Sequence, residues 1–265
     1  MSRLKHSLLV ACVATTALFA GATTAQADDH IHERFAMPGG QILVRGMFEV
    51  NLSKDAAFKP VSIAPDGYFG ITDDLTVGLV HSQYGMTGFL GGTGASLCIT
   101  GGDNGCGRVY DSVGAAVRYH LLDGPITLAA DGGIQIGSFD PFQLRIKAGV
   151  VGAWRSGKLS VVFNPSLLAG LSNRDAGNKE VLLIPASVMY AVTDKLNAGL
   201  QTGVILPFAA VDELWQLPLT LGAQMAVSDG IAVVGAFSLT ALAGGELVPT
   251  GLDGRSLTLG IEVGF

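Results

Sequence analysis

Ser256-Leu-Thr-Leu-Gly-Ile-Glu-Val-Gly-Phe265, the last ten residues of the sequence, alternate without a break. Successive side chains of an extended strand point to opposite sides, so Leu257, Leu259, Ile261, Val263 and Phe265 share one face. Ser256, Thr258, Gly260, Glu262 and Gly264 share the other. One face is wholly apolar and the other is small or polar, so the strand separates two environments.

The rest of the chain has the composition that such strands require. Its 265 residues include 49% hydrophobic and only 14% charged residues, with 37 Gly, and the mean hydropathy is +0.45. That is too apolar for a disordered chain or an ordinary secreted soluble protein. Beyond the amino terminus no run of 18 or more apolar residues occurs, so no transmembrane helix is expected. Apolar character spread in alternation, with glycines and short turns, predicts a membrane β-barrel instead. A net charge of -6 and the lack of a basic cluster argue against a nucleic-acid partner.

The closing strand, ending on Phe265, resembles the last strand of bacterial outer-membrane β-barrels. That resemblance implies a cell outer-membrane location in a Gram-negative bacterium, contact with outer-membrane lipid, and recognition of the strand by the barrel assembly machinery. The amino terminus agrees with export. Arg3 and Lys5 precede an apolar run from Leu8 to Ala20, and Ala25-Gln-Ala27 offers a small-residue cleavage site. Residues 1–27 are therefore read as a secretory signal peptide, 28–40 as a periplasmic tail and 41–265 as the barrel. Leu9-Val-Ala-Cys12 also resembles a lipobox, which would make Cys12 a lipidated first residue; it would cut the apolar run short.

From Gln41 onward alternating runs recur: 42–52, 61–71, 75–86, 108–120, 126–137, 142–155, 159–171, 181–192, 196–208, 214–227, 231–242 and the closing strand. About twelve strands of membrane-spanning length follow. Three junctions echo one another, Thr72-Asp-Asp74, Thr193-Asp-Lys195 and Ser228-Asp-Gly230, where hydroxyl and carboxylate side chains bond the local backbone and close turns. Connections after even-numbered strands are short, and those after odd ones are generally longer. That alternation predicts an up-and-down antiparallel barrel with both termini periplasmic. On the apolar face Phe69, Tyr119, Trp154, Tyr190 and Phe265 fall at the predicted periplasmic ends, and Phe142 and Trp215 at the outer ends, as membrane-interface aromatics do. A soluble barrel with its apolar face inward would present Lys, Glu and Thr to water, whereas the second face here is heavy in Gly, Ala and Ser.

The predicted lumen carries charges. Arg108, Arg118, Arg145, Lys147 and Arg155 come from the fourth and sixth strands, and Glu49, Asp66 and Glu262 from the first, second and twelfth. Arg45 lies on the same face of the first strand and Asp131 on that of the fifth. Closure brings the twelfth strand beside the first, so acids gather in one sector and bases in another. A transverse field across a water-filled lumen resembles general porins and implies passive diffusion of small hydrophilic solutes. The alternative is a non-conducting structural or loop-presenting barrel whose internal ion pairs, such as Asp131 with Lys147, stiffen or plug it.

Other chemistry has weaker footing. Some outer-membrane barrels are lipid hydrolases with a Ser-His site on the outer wall, and His81 and Asp111 alternate outward on adjacent strands. Ser82 and Ser112 point inward, so a nucleophile is missing and no enzyme activity is expected. Cys98 and Cys106 form an even pair in an exported chain and predict a disulfide within the Gly-rich segment 87–107. As metal ligands they lack a nearby His or second Cys pair. His30 and His32 beside acidic residues belong to the solvated tail, and neither a metal nor a cofactor is implied.

Overall fold

The computed structural model describes residues 34–53, 61–81, 97–100, 108–110 and 112–265. Twelve antiparallel strands form one closed barrel: β1 (Ile42–Asn51), β2 (Val61–Gly70), β3 (Leu75–Val80), β4 (Val113–Leu122), β5 (Ile126–Phe139), β6 (Phe142–Ser156), β7 in two arms (Leu159–Phe163 and Ser166–Gly170), β8 (Val181–Ala191), β9 (Leu196–Pro207), β10 (Gln216–Ser228), β11 (Ile231–Gly244) and β12 (Arg255–Gly264). Each strand pairs with its sequence neighbours, so the order is up and down. A two-residue stretch, Leu97–Cys98, adds to the edge of β2 beyond the end of β3.

The closing strand does close the barrel. β12 pairs with β1 from Leu43 opposite Gly264 to Asn51 opposite Ser256, and Phe265 and Ile42 exchange backbone hydrogen bonds at 2.8 and 3.1 Å. Closure pairs the first strand with the last, so neither is left as a free edge in a solvent that cannot hydrogen-bond the backbone. No helix among the described residues is long and apolar enough to cross a membrane.

Alternation sets the two faces. Outward residues are apolar on every strand, for example Val44, Leu79, Val117, Ile134, Ile146, Leu200, Leu221 and Ile261, and all of these are exposed. Their inward neighbours include Arg45, Asp66, Arg118, Asp131 and Glu262, all buried. Phe69, Tyr119, Trp154 and Tyr190 project outward on the apolar face, opposite Ile42, Leu75, Ile126 and Leu159 respectively. They lie at the end of the barrel that carries the short turns, where Phe265 also sits. At the loop end Phe142 faces Phe139 across the β5–β6 turn, and Trp215 immediately precedes β10.

The third strand ends at Val80, with residues 82–86 of the expected run outside the described residues, and three further features of the strands differ from expectation. The fourth strand begins at Val113 rather than Arg108, because residues 108–110 belong to the loop end. β5 and β6 meet in a tight turn at Asp140-Pro141, a short connection among the longer ones. β7 is interrupted at Asn164-Pro165, where proline supplies no N–H to the ladder. Register nevertheless runs through the gap, with Gly152 opposite Phe163 and Gly149 opposite Ser166. Asn164 turns the interruption to use: its Nδ2 donates to the Val150 carbonyl at 2.8 Å and to Asp131 Oδ2 at 3.1 Å.

Candidate functional site

The interior begins with a rung of charge across the barrel seam. β1 lies between β2 and β12, and register sets Arg45 opposite both Asp66 and Glu262. Arg45 Nε donates to Glu262 Oε1 at 2.5 Å, and Gln224 Nε2 donates to Glu262 Oε2 at 2.7 Å. Asp66 accepts from the His81 backbone N–H at 2.6 Å and from the Tyr68 hydroxyl at 3.1 Å. The Arg45 guanidinium lies over the Tyr68 ring, 5.8 Å from its centroid. Arg45 and Glu262 are each only 2% exposed, yet Arg45 Nη1 and Nη2 have no hydrogen-bond partner among the described residues.

A second cluster sits on β4–β7. Asp131 Oδ2 accepts from Lys147 Nζ at 2.7 Å and from Asn164 Nδ2 at 3.1 Å. Its Oδ1 lies 3.5 Å from Arg118 Nη2, too long for a strong hydrogen bond. Arg118 is 1% exposed, and its three guanidinium nitrogens find no hydrogen-bond partner among the described residues. Acidic and basic sectors are therefore not segregated as expected: Arg45 intrudes on the acids and Asp131 on the bases.

Residues 34–40, expected as the end of a periplasmic tail, are folded against the barrel. They turn into the mouth at the turn end, and Phe35, Ala36 and Met37 are buried. Phe35 joins Ala129, Val151 and Ala153 in one buried apolar cluster, and Val162 packs against that cluster. The guanidinium carbons of Arg118 and Arg155 lie over the Phe35 ring at 5.8 and 5.7 Å from the centroid. Phe35 adopts a left-handed backbone, φ 61°, which costs a residue with a Cβ about 1 kcal/mol. The segment is held around it. Met37 N–H donates to Thr76 Oγ1 at 2.7 Å, and Gly40 N–H to the Gly70 carbonyl at 2.8 Å. His120 Nδ1 meets the Arg34 carbonyl at 2.8 Å. A Cβ on Gly70 would lie 2.0 Å from the Pro38 carbonyl oxygen, so the close approach requires glycine.

At the rim Arg34 Nη2 bonds Asp74 Oδ1 at 3.1 Å and Asp123 Oδ2 at 3.3 Å, while His120 Nε2 meets Asp123 Oδ1 at 3.1 Å. Partial desolvation opposes ionisation of Asp123, but His120 and Arg34 outweigh it and hold its carboxyl below the ordinary value of 3.8. A depressed carboxyl stabilises the folded form above its ordinary pKa and ceases to as pH falls through the lowered one. The latch is thus expected to weaken in acid. Asp123→Asn mimics that loss at neutral pH and should speed tryptic cleavage after Arg34 severalfold. An unchanged cleavage rate would show that this carboxylate does not hold the segment.

Similar folds occur among solved structures. The NanC porin aligns with a TM-score of 0.55 and 13% identity, over 84% of this chain and 98% of that one. The chain has the fold of a porin barrel. An outer-membrane channel from Pseudomonas putida F1 gives a TM-score of 0.49 at 14% identity, covering 87% and 97%. OmpF of Salmonella typhi in complex with daunomycin gives 0.43 at 8%, covering 85% and 96%. No family model matches the sequence, and no curated protein matches it.

Within this porin fold the remaining expected site residues are dispersed. Arg145 Nε bonds Asn178 Oδ1 at 2.7 Å and its Nη2 bonds Gln143 Oε1 at 3.2 Å. Asn178 is fully buried, its own amide donating to the Leu144 and Ser172 carbonyls. Arg155 donates to Thr127 Oγ1 at 3.0 Å. Glu49 is half-buried, opposite Ser62 and Thr258. Arg108 is not in the wall; it is exposed at the loop end, paired with Asp140. His81 is not part of an outward dyad either. It is buried, with Nδ1 against the Pro65 carbonyl and Nε2 3.0 Å from the Tyr110 hydroxyl. Ser112 is buried, while Asp111 and Ser82 lie outside the described residues. So do His30, His32 and Cys106; Cys98, the other half of the expected disulfide, is buried.

Two features escaped sequence reasoning. Phe35 precedes the first alternating run, so no period marked it. The second is a wall of neutral polar groups: Ser187 on β8, Gln201 on β9, and Gln216 and Gln224 on β10 face inward and are half-buried, and Asn197 at the turn end is exposed. Register joins them into rungs, Ser187 with Gln201 and Asn197 with Gln224. Inward alternation is the available signal for them.

Proposed function

We propose that the protein is an outer-membrane channel for passive diffusion of small hydrophilic solutes, with its short turns and residues 34–40 on the periplasmic side. The observation that carries this reading is the unequal filling of the interior. Inward residues on β1–β4 are mostly buried beneath ion pairs and the amino-terminal segment. Most of those on β8–β10 keep part of their surface open to the lumen, and they include amides, a hydroxyl and small side chains beside the apolar Met189 and Ile205. Side chains that both donate and accept can replace a passing solute's water without binding it as an ion. The continuous apolar exterior with aromatics at both ends supports a membrane location.

Single-channel recording of the refolded protein in planar bilayers tests the proposal: discrete current steps are expected, and silence from intact barrels would overturn it. Boiled and unboiled samples should migrate differently on a detergent gel, which certifies that the barrel is intact. Arg145→Glu gives a second reading. Its neutral neighbour Gln143 carries an amide N–H that can serve a carboxylate once the amide turns over. Selectivity should shift towards cations, and an unchanged reversal potential would show that Arg145 does not border the path.

A further inference from the structure

We propose that the lumen contains a binding site for small aromatic carboxylates and that Phe35 is its tethered resident. The site is built around a planar ring. The ring shares one apolar cluster with Ala129, Val151 and Ala153, all fully buried, with Val162 packed against that cluster, and the guanidinium groups of Arg118 and Arg155 lie over the ring. A cation over an aromatic face is attractive, more so where water is excluded.

A phenyl ring alone leaves that site electrostatically unfinished. Arg118 and Lys147 bring two positive charges to one carboxylate, Asp131. Its Oδ2 is already engaged by Lys147 and Asn164, and its Oδ1 stands 3.5 Å from Arg118. All three nitrogens of the buried Arg118 guanidinium lack a hydrogen-bond partner among the described residues. Buried donors left unmade are costly, and the planar fork of arginine suits a carboxylate in two-point contact. An aryl carboxylate supplies both what Phe35 provides, the ring, and what it lacks, the anion. Phe35 is moreover seated in a left-handed conformation, unfavourable for a residue with a Cβ, so its displacement releases strain. Resident and ligand exclude each other, and the amino-terminal segment is therefore a competitive stopper. That such ligands are cargo rests on the channel reading; that they bind does not.

The test is calorimetric titration of benzoate into the refolded full chain in detergent, which needs no current. Phe35→Ala should bind benzoate about tenfold more tightly than the wild type, and about tenfold more tightly than it binds cyclohexanecarboxylate or benzyl alcohol. Arg118→Lys added to Phe35→Ala keeps the charge that faces Asp131 but removes the fork, and should cost most of that gain. Arg34→Ala loosens the rim without emptying the site and gives a second route, again with tighter benzoate binding than the wild type. Heat-modifiable protein that shows no benzoate preference in either the Phe35 or the Arg34 variant overturns the proposal, as does equal binding of all three compounds. A barrel that binds benzoate yet passes no current would overturn the channel reading and leave this site standing.

Discussion

Single-channel conductance should rise severalfold when Phe35 is replaced by Ala, with the barrel still heat-modifiable on a gel. The ring is the bulkiest part of residues 34–40 to enter the lumen, reaching Arg118, Arg155 and the wall of β5–β7. The flanking anchors do not depend on it: Arg34 is tied to Asp74 and Asp123, Met37 to Thr76, and Gly40 to Gly70. Removing the ring therefore widens the passage without detaching the strand that begins at Ile42. Phe→Ala in a sealed core costs about 3–5 kcal/mol, but here water from the lumen can fill the space and solvate both guanidinium groups, so the loss should be smaller. Phe35→Gly separates the two contributions. It empties the site equally and relieves the left-handed backbone, by about 1 kcal/mol, and should conduct as well as the alanine variant while unfolding later. Equal conductance in the wild type and both variants would place the path elsewhere.

The exterior was legible because alternation decides faces. Leu257, Leu259, Ile261 and Val263 face outward and Glu262 faces inward, as the closing ten residues predict, and Phe69, Tyr119, Trp154 and Tyr190 occupy one end. Alternation does not decide which residues meet across strands, since that depends on stagger around the barrel. Arg45 illustrates the difference. Its inward face follows from the sequence, but its position between Asp66 and Glu262 follows from register with two partners, one of them 217 positions away. The pairing of Asp131 with Lys147 was legible from neighbouring strands, whereas the acidic sector of Asp66 and Glu262 was read without the Arg45 that register sets between them. Arg108 misled for another reason: residues 108–110 continue the apolar run of β4, although the strand has not yet begun. Phe35 had no pattern to betray it, because its burial comes from a barrel formed entirely downstream.

The Arg45–Glu262 pair is where the interior should prove most fragile. Glu262→Gln keeps the shape and the contact with Gln224 but leaves the guanidinium without its carboxylate partner in a site that is 2% exposed. Removing one partner of a buried pair costs about 3–5 kcal/mol, whereas replacing both with apolar residues of similar size is often neutral or better. Urea unfolding from lipid vesicles should therefore show a loss of that order for Glu262→Gln, largely recovered in Arg45→Met with Glu262→Met. The comparison also reports on water. If the lumen hydrates this rung, Arg45 Nη1 and Nη2 are solvated, the single substitution costs well under the buried-pair figure, and the double substitution recovers nothing. A large loss with recovery instead marks the β1–β2–β12 side as the dry, stiffening wall of the barrel. Passage then belongs to the amide-bearing face of β8–β10, since a solute cannot cross the dry side without separating Arg45 from Glu262.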